Sequence, residues 1–228
     1  MKGPLHVMLS LAFKPAFDEL APAFEQATGE KVDGRWVPTA HMMDRVKGGD
    51  IVDALVFAAP ALEELIAARC LDPMSRVDVA TCGVGVAVRP GEKRPDLSSG
   101  EALKRYLLAA ESVVYSKGPS GVYLSELLRK MGIADDIAPK VRQVQGEPVG
   151  AILARGEGQI GFQQICELLP IDGIDYVGPL PPDVQEVTLF AGAVHVRAQA
   201  PQAAKALLAF LKTPEARHVI SAKGLEPV

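Results

Sequence analysis

The sequence predicts an α/β protein in which helices flank a mostly parallel sheet, and two observations carry this prediction. Short apolar runs alternate with segments of helical periodicity along the whole chain. Parallel strands need long crossover connections, which are usually helices, so this alternation is typical of a parallel sheet. At 228 residues the chain is long enough for one large domain or for two lobes of about 100 residues each.

In the first half of the chain, apolar runs and helix signals follow one another in regular order. Pro15 suits the start of a helix, because its fixed φ fits there and its missing N–H is not needed. Gly29 suits the end of that helix, and Thr39 is the expected cap of the next one, which ends at Gly48. We expect helices at 15–28 and 60–70 and strands at 5–10, 32–37, 53–59 and 82–90.

The second half repeats this order of strands and helices. Ser120 is the expected cap of a helix at 122–131, and the proline-dense segment 178–185 is interpreted as a connector between lobes. The other predicted elements are helices at 102–109, after Pro148 and at 201–211, and strands at 112–116, 158–163 and 186–196.

Composition and charge argue against several classes of protein. The net charge of −4 does not favour a nucleic acid or an anionic membrane surface as partner. No run approaches the roughly 18 apolar residues of a membrane span, so no membrane insertion is expected. Cys70, Cys82 and Cys166 form no CxxC pair, so structural zinc is not expected. We expect three buried reduced thiols, with one disulfide as the alternative.

The N-terminal residues leave two locations open. They contain a short apolar run but no small-residue cleavage site of the kind that ends a signal peptide. The protein is expected to be periplasmic if a signal peptide has been removed, and cytoplasmic otherwise.

Four strand-to-helix turns carry groups that suit an anionic ligand. In open α/β sheets, ligands bind beyond the carboxyl ends of the strands, where N–H groups at helix starts face an anion. Lys14 stands where a helix normally has an uncharged or acidic cap, and a bound anion would offset its charge. The alternative to ligand binding is that Lys14 is a solvated loop residue and that the hydroxyls of Ser10, Thr39 and Ser120 only cap helices. The candidate groups are Ser10, Lys14, Thr39, Ser120, Gly121 and Gly146.

The sequence contains none of the common catalytic motifs. "GPSGV" is one residue short of the GxSxG nucleophile elbow, and the four histidines have no HxxxH or HExxH spacing. "CGVGVA" lacks the third glycine and the strand-to-helix context of a dinucleotide-binding loop. The sequence therefore predicts neither a metal nor a cofactor.

Five stretches together carry a resemblance to a known family. They are "SLAFKPAFDELAPAFEQATGEKV", "DALVFAAP", "PSGVYLSELLRKMGI", "AILARGEGQIGF" and "APQAAKALLAFLKTPEARHVISAKGLEPV". In order and spacing they resemble the solute-binding proteins of the molybdate-binding type, which serve ABC importers. The resemblance implies a type II periplasmic-binding-protein clamp with two hinge crossings, near 82–84 and 187–191. One lobe would contain 1–82 and 191–228, the other 83–190, with the ligand cleft between them.

The same resemblance implies roles for the candidate groups. In that family, hydroxyls and backbone N–H groups hold an oxyanion between the lobes. Ser10 and Thr39 fall at the positions of two such hydroxyls, and Ser120, Gly121 and Gly146 fall in or near turns that supply backbone donors.

Two departures from the family pattern affect the expected ligand. Gln163 and Gln164 stand where a ligand-binding tyrosine occurs in the family, and Lys14 adds a cation to a site that normally uses neutral donors. A lysine and two amides suit an organic carboxylate at least as well as molybdate.

The stretch "GFQQICELLPIDGIDYVGPLPPDVQ" is similar to a substrate-binding branch that includes aconitate isomerases. The leading hypothesis is a monomeric binding protein that presents a small anion to an ABC permease. The alternative is an isomerase that shifts a proton in a tricarboxylate, with His41, Lys14 or Glu147 as the base. A ligand-sensing domain without transport is the third hypothesis.

Overall fold

The computed structural model describes residues 3–228 of the chain, and within them strands alternate with helices. The strands are β1 Leu5–Leu9, β2 Val32–Trp36, β3 Ala54–Ala58, β4 Val77–Val88, β5 Val113–Ser116, β6 Val141–Val144, β7 Ile160–Gln164, β8 Asp175–Pro179, β9 Val187–Val194 and β10 Glu226–Pro227. The helices are α1 Lys14–Thr28, α2 Thr39–Lys47, α3 Ala59–Ala67, α4 Gly100–Ala109, α5 Pro119–Lys130, α6 Ala134–Ile137, α7 Val149–Ala154, α8 Ile165–Leu168, α9 Pro201–Phe210 and α10 Pro214–Ala222.

The chain divides into two compact units. Unit 1 comprises the residues up to Thr81 together with Leu189–Val228, and unit 2 comprises Cys82–Thr188. Strands β4 and β9 each run across one of these boundaries, so two strands connect the units. The boundaries expected from the sequence, after residues 82 and 190, lie one and two residues from these limits.

In unit 1, three parallel strands form the centre of the sheet. β1 pairs in parallel with β2 and with β3, and β9 then pairs antiparallel with β3. All five residues of β3 are buried, as expected for a strand that helices cover on both faces. One core cluster includes Met8, Leu55, Phe57 and Leu62.

In unit 2, a second parallel group has the same construction. β5 lies between β6 and β7, both parallel to it, and β7 pairs antiparallel with β4, which also pairs antiparallel with β8. The core includes Val86, Leu103, Leu124 and Phe162.

Several local predictions need correction. Thr39 and Ser120 do not cap helices: α2 begins at Thr39 after Pro38, and α5 begins at Pro119 after Gly118. Lys14 rather than Pro15 is the first residue of α1. Strand β8 includes Gly178 and Pro179 from the segment that was interpreted as a connector.

None of the helices formed by residues 3–228 has the length and apolar character needed to cross a lipid bilayer.

Candidate anion-binding site

Ser10 and Thr39 lie at the same edge of the unit 1 sheet. Leu9, the last residue of β1, is in register with Trp36 on β2 and with Val56 on β3. Ser10 follows directly after β1, and Thr39 follows β2 after two residues. Because β1 and β2 are parallel, their carboxyl ends bring these two turns to one edge, which is where ligands bind in such sheets.

The two hydroxyls are not used as helix caps. Ser10 precedes a short 3₁₀ turn without a side-chain capping bond, and its backbone N–H donates to the Val56 carbonyl at 2.9 Å. Thr39 is itself the first residue of α2, and Pro38 before it has no side chain that could cap. The capping alternative for these hydroxyls is therefore not realised in the structure.

The Lys14 ammonium group already has two partners within unit 1. Its nitrogen lies 2.7 Å from Oδ2 of Asp18, one turn further along α1, and 4.2 Å from the centre of the Trp36 ring. The ion pair and the cation–π contact explain the lysine at this helix start without a ligand. Neither partner was predicted from the sequence, although the i, i+4 spacing of Lys14 and Asp18 is typical of a helical ion pair.

Two further groups lie near this edge of unit 1. His41, proposed above as a base, is exposed on α2. The indole N–H of Trp36 is buried and has no hydrogen-bond acceptor among the described residues. Burying a donor without a partner is unfavourable, so Trp36 is the one aromatic side chain here that a bound acceptor would satisfy.

The predicted residues of unit 2 also lie at one sheet edge. Ser116 at the end of β5 is in register with Val144 at the end of β6, and Tyr115 with Phe162 on β7. The three parallel strands therefore end at the same edge, where Ser120 and Gly121 lie in the first turn of α5, Gly146 follows β6 and Gln164 is the last residue of β7.

The turn between β5 and α5 is tightly packed. Ser120 is almost fully buried, with its hydroxyl 3.5 Å from that of Ser116, and the Gly118 N–H donates to the Ser116 hydroxyl at 3.2 Å. A Cβ atom at Gly121 would lie 1.6 Å from the Ser116 carbonyl oxygen. Glycine at 121 is therefore a packing requirement, and its N–H group donates to the Gly118 carbonyl at 3.0 Å.

The turn between β6 and α7 contains Gly146 and Glu147. Gly146 has φ of +79°, a left-handed conformation that glycine adopts without strain. The Glu147 carboxylate accepts a hydrogen bond from Arg155 at 2.5 Å, and Arg155 also binds Glu157. Arg155 and Arg142 lower the pKa of the Glu157 carboxyl to about 2.

Gln163 is part of an internal hydrogen-bond network. Its buried side-chain oxygen accepts from the backbone N–H of Val149, the first residue of α7, at 2.8 Å. Its side chain also donates to the Glu167 carboxyl, which accepts in addition from the backbone N–H of Gln164. The second bond is the N3-to-N-cap half of a capping box.

Glu167 was not singled out in the sequence, yet its carboxyl near these turns has a strongly raised pKa. Burial raises its pKa to about 7, against the opposing effect of the two hydrogen bonds that favour the charged form. It follows β7 by three residues, and no sequence motif distinguishes it from a solvated helix glutamate.

Gln164 connects to both strands that cross between the units. With its amide nitrogen directed at the carbonyl oxygens of Cys82 and Gly83, at 3.0 and 3.1 Å, its oxygen accepts from the Thr188 hydroxyl at 2.8 Å. This orientation satisfies the whole amide. Both predicted amides thus have protein partners, and their role as ligand contacts stays a prediction.

Metal ligands are not grouped in the described part of the chain. Within residues 3–228, no three His, Cys, Asp or Glu side chains are close enough together to hold a metal ion. The hydroxyls, amides and backbone N–H groups described above are donors suited to an anion rather than ligands suited to a cation.

Comparison with known proteins places the chain in a family. The family model for bacterial extracellular solute-binding proteins matches residues 5–226. The chain is 39% identical to an aconitate isomerase from Pseudomonas sp. over 230 residues, which cover 98% of this chain and 88% of that protein.

Solved structures of solute-binding proteins share the fold. The periplasmic molybdate-binding protein of Azotobacter vinelandii superposes with a TM-score of 0.80 at 19% identity, over 97% of this chain and 98% of that one. The sulfate-binding protein SubI of Mycobacterium tuberculosis gives 0.80 at 17% identity, over 100% and 88% of the two chains. The α/β fold and the family predicted from the sequence are confirmed: the chain belongs to the bacterial extracellular solute-binding proteins.

Proposed function

We propose that the protein binds one small organic polycarboxylate, held by groups from both units. Unit 1 supplies the Ser10 and Thr39 hydroxyls and the Lys14 ammonium group, and unit 2 supplies the backbone N–H groups of Ser120 and Gly146, whereas the Gly121 N–H donates to the Gly118 carbonyl. In each unit, these groups follow the carboxyl ends of parallel strands. Binding would shift an equilibrium between open and closed arrangements of the units.

The positive charge of Lys14 favours an anionic carboxylate ligand over an uncharged ligand. Its pair with Asp18 is half-exposed, with 47% and 48% of the two side chains accessible. Exposed pairs of this kind contribute about 0–1 kcal/mol, so a polyanion can draw the ammonium group toward itself at little cost. The contact with Trp36 keeps the lysine at the sheet edge.

One observation carries the choice of an organic ligand. The relative named aconitate isomerase is 39% identical across 98% of this chain, whereas the molybdate- and sulfate-binding structures are below 20% identical. Aconitate has three carboxylates, which matches a site with one cation and several neutral donors.

A thermal-shift comparison tests this proposal. A ligand at one hundred times its dissociation constant stabilises the native state by about 2.7 kcal/mol, a rise in Tm of about 5–10 °C for a chain of this length. We expect that rise with trans-aconitate, cis-aconitate or citrate and none with molybdate or sulfate. A response to molybdate alone would contradict the organic ligand and leave an oxyanion-binding protein.

Isomerisation of aconitate is the second candidate function, and the same relative favours it. The reaction removes a proton from the methylene carbon of trans-aconitate and returns a proton to the former vinyl carbon, while the double bond moves to the methylene side. A general base within hydrogen-bond distance of that proton is required.

The candidate bases differ in their surroundings. Glu147 is ion-paired with Arg155, and Lys14 is ion-paired with Asp18. His41 is exposed. Glu167, whose pKa burial raises to about 7, has the proton affinity that suits a base at neutral pH.

Proton NMR in D₂O separates binding from isomerisation. An isomerase converts trans-aconitate to the cis isomer and incorporates deuterium at the former vinyl carbon. A binding protein without catalysis raises Tm with trans-aconitate and leaves its spectrum unchanged.

Family membership supports a role as an exported periplasmic receptor that delivers its ligand to an ABC permease in the membrane. Ligand sensing without transport is the alternative role. Stimulation of the ATPase activity of a reconstituted permease by the liganded protein would support import, and its absence with every permease encoded beside the gene would favour sensing.

A further inference from the structure

Cys82 and Cys166 form a contact between two buried thiols inside unit 2. They are 84 residues apart in the sequence, yet their sulfur atoms lie 3.4 Å apart. Cys82 is 1% exposed and Cys166 is 0% exposed. Cys82 is the first residue of unit 2 on β4, and Cys166 is the second residue of α8.

The surroundings make the two sulfurs chemically unequal. The contact with the Cys166 sulfur, together with hydrogen bonds from the backbone N–H groups of Cys166 and Ile165, lowers the pKa of Cys82. The contact with Cys82, together with burial, raises the pKa of Cys166. The negative charge of Glu167 acts on both sulfurs and opposes ionisation of each. Cys82 is therefore the sulfur that ionises first.

We propose that Cys82 and Cys166 are the site of an intramolecular disulfide, formed by exchange with a disulfide oxidant. The S–S bond of a disulfide is about 2.05 Å long. The two sulfurs lie 3.4 Å apart, so small movements of the two side chains would bring them to bonding distance. The third cysteine, Cys70, lies in unit 1 and takes no part. This inference does not depend on the proposed function.

The exchange proceeds in two balanced steps. The Cys82 thiolate attacks one sulfur of the oxidant RSSR, forms a mixed disulfide and releases RS⁻. Cys166 then loses its proton and attacks the Cys82 sulfur, which forms the Cys82–Cys166 bond and releases the second RS⁻. Both thiolates leave as thiols after taking up the two protons that Cys82 and Cys166 lost. Since both sulfurs are buried, we expect exchange during folding or local opening of α8 from β4.

The disulfide would fix the start of the connecting strand β4 to α8. Gln164, which precedes α8, already holds the carbonyl groups of Cys82 and Gly83. Oxidation would add a covalent bond to this attachment and close a long loop in the unfolded chain, which restricts the unfolded state.

The test uses Cys70→Ser, in which the proposed pair is the remaining source of thiols, refolded in oxidised or reduced glutathione. We expect the oxidised sample to lose 2 Da, to titrate no thiol in denaturant and to yield one cross-linked peptide pair containing Cys82 and Cys166. Its Tm should exceed that of the reduced sample by about 5–10 °C. Variants that add Cys82→Ser or Cys166→Ser should show neither the mass loss nor the Tm difference.

Two results would overturn the proposal. One is that both thiols still titrate after refolding in excess oxidised glutathione, and the other is that the product carries glutathione on either cysteine instead of an internal bond. If Cys70→Ser does not fold, the unmodified chain gives the same answer, because two of its three thiols should disappear and the cross-linked peptides should exclude Cys70.

Discussion

The ammonium nitrogen of Lys14 lies 2.7 Å from Oδ2 of Asp18, so the cation at the start of α1 has an anion within its own helix. Asp18 is exposed and lies one helical turn after Lys14, so it does not cap the start of α1. Lys14 therefore keeps a position beside the Ser10 turn with a charge that is only weakly engaged. The arrangement leaves the lysine available to a ligand and gives the carboxylate of Asp18 the role of competitor.

Replacing Lys14 and Asp18 separately tests this relationship. We expect Lys14→Ala to weaken binding of trans-aconitate more than tenfold, about 1.4 kcal/mol. Asp18→Asn should leave the affinity unchanged or increase it, because a competing carboxylate is removed. Isothermal titration calorimetry of both variants measures these affinities. Equal dissociation constants for Lys14→Ala and the unmodified protein would mean that Lys14 does not contact the ligand.

Two glycines at the start of α5, Gly118 at its N-cap and Gly121 in its first turn, should differ sharply in their tolerance of substitution. A Cβ at Gly121 meets the Ser116 carbonyl oxygen at 1.6 Å, whereas a Cβ at Gly118 meets only the Ser116 hydroxyl, at 3.4 Å. We expect Gly121→Ala to lower the free energy of unfolding by about 2–4 kcal/mol, since backbone has to move. Gly118→Ala is the matched control and should stay within about 1 kcal/mol in urea unfolding. Similar losses for both would mean that the turn is not packed as described.

Replacing Gln163 should affect the stability of the fold more than it affects ligand binding. Its side-chain oxygen is the acceptor for the Val149 N–H, and Gln163→Leu leaves that buried donor unpaired, at about 1–3 kcal/mol. Gln143→Leu, an exposed position on β6, is the control and should be near neutral. A Gln163→Leu variant that unfolds normally but binds trans-aconitate more than tenfold weaker would instead support a direct ligand contact.

Stability should depend on pH through Glu167. Burial raises the pKa of this carboxyl from 4.5 to about 7 in the folded protein, so the folded state holds the proton more tightly than the unfolded state. Its stabilising contribution is complete below pH 4.5 and is lost as the pH rises through about 7. We expect the free energy of unfolding to fall by about 1–3 kcal/mol between pH 5 and pH 8 on account of this group.

His195 acts in the opposite direction over part of this range. Burial, together with the charge of Arg197, lowers its pKa, so its effect on stability increases as the pH rises. The difference between the unmodified protein and Glu167→Gln cancels this term, because both retain His195. That difference, measured by urea unfolding at several pH values, should decline toward pH 8, and a flat difference would contradict the raised pKa.

The sequence was sufficient for most of the longer elements, because burial leaves a readable pattern, but β6, β8 and the short helices α6 and α8 were not predicted. The fully apolar run at β3 and the proline near the start of α1 each indicated their element within a residue or two. β8 was missed, since Gly178 and Pro179 resemble a connector and nothing local reveals that this segment pairs with β4. The start of α5 was misplaced, because Ser120 resembles a cap while Pro119 begins the helix.

The candidate site was predictable as a set of turns but not as a set of contacts. The sequence indicated that Ser10 and Thr39 each follow a strand, and the structure shows that these two strands are parallel neighbours. The partners of Gln163 and Gln164, and the burial of Glu167, depend on which segments pack together over long sequence distances. The contact between Cys82 and Cys166, 84 residues apart, is of the same kind.

The central claim, that turns from both units hold one organic polycarboxylate, is tested most directly by titrating trans-aconitate into ¹⁵N-labelled protein and following the backbone amide resonances. We expect the amide resonances around Ser10 and Thr39 in unit 1 and at Ser120, Gly121 and Gly146 in unit 2 to shift together along one binding curve. Resonances that stay in place at millimolar trans-aconitate, or shifts confined to one unit, would contradict it.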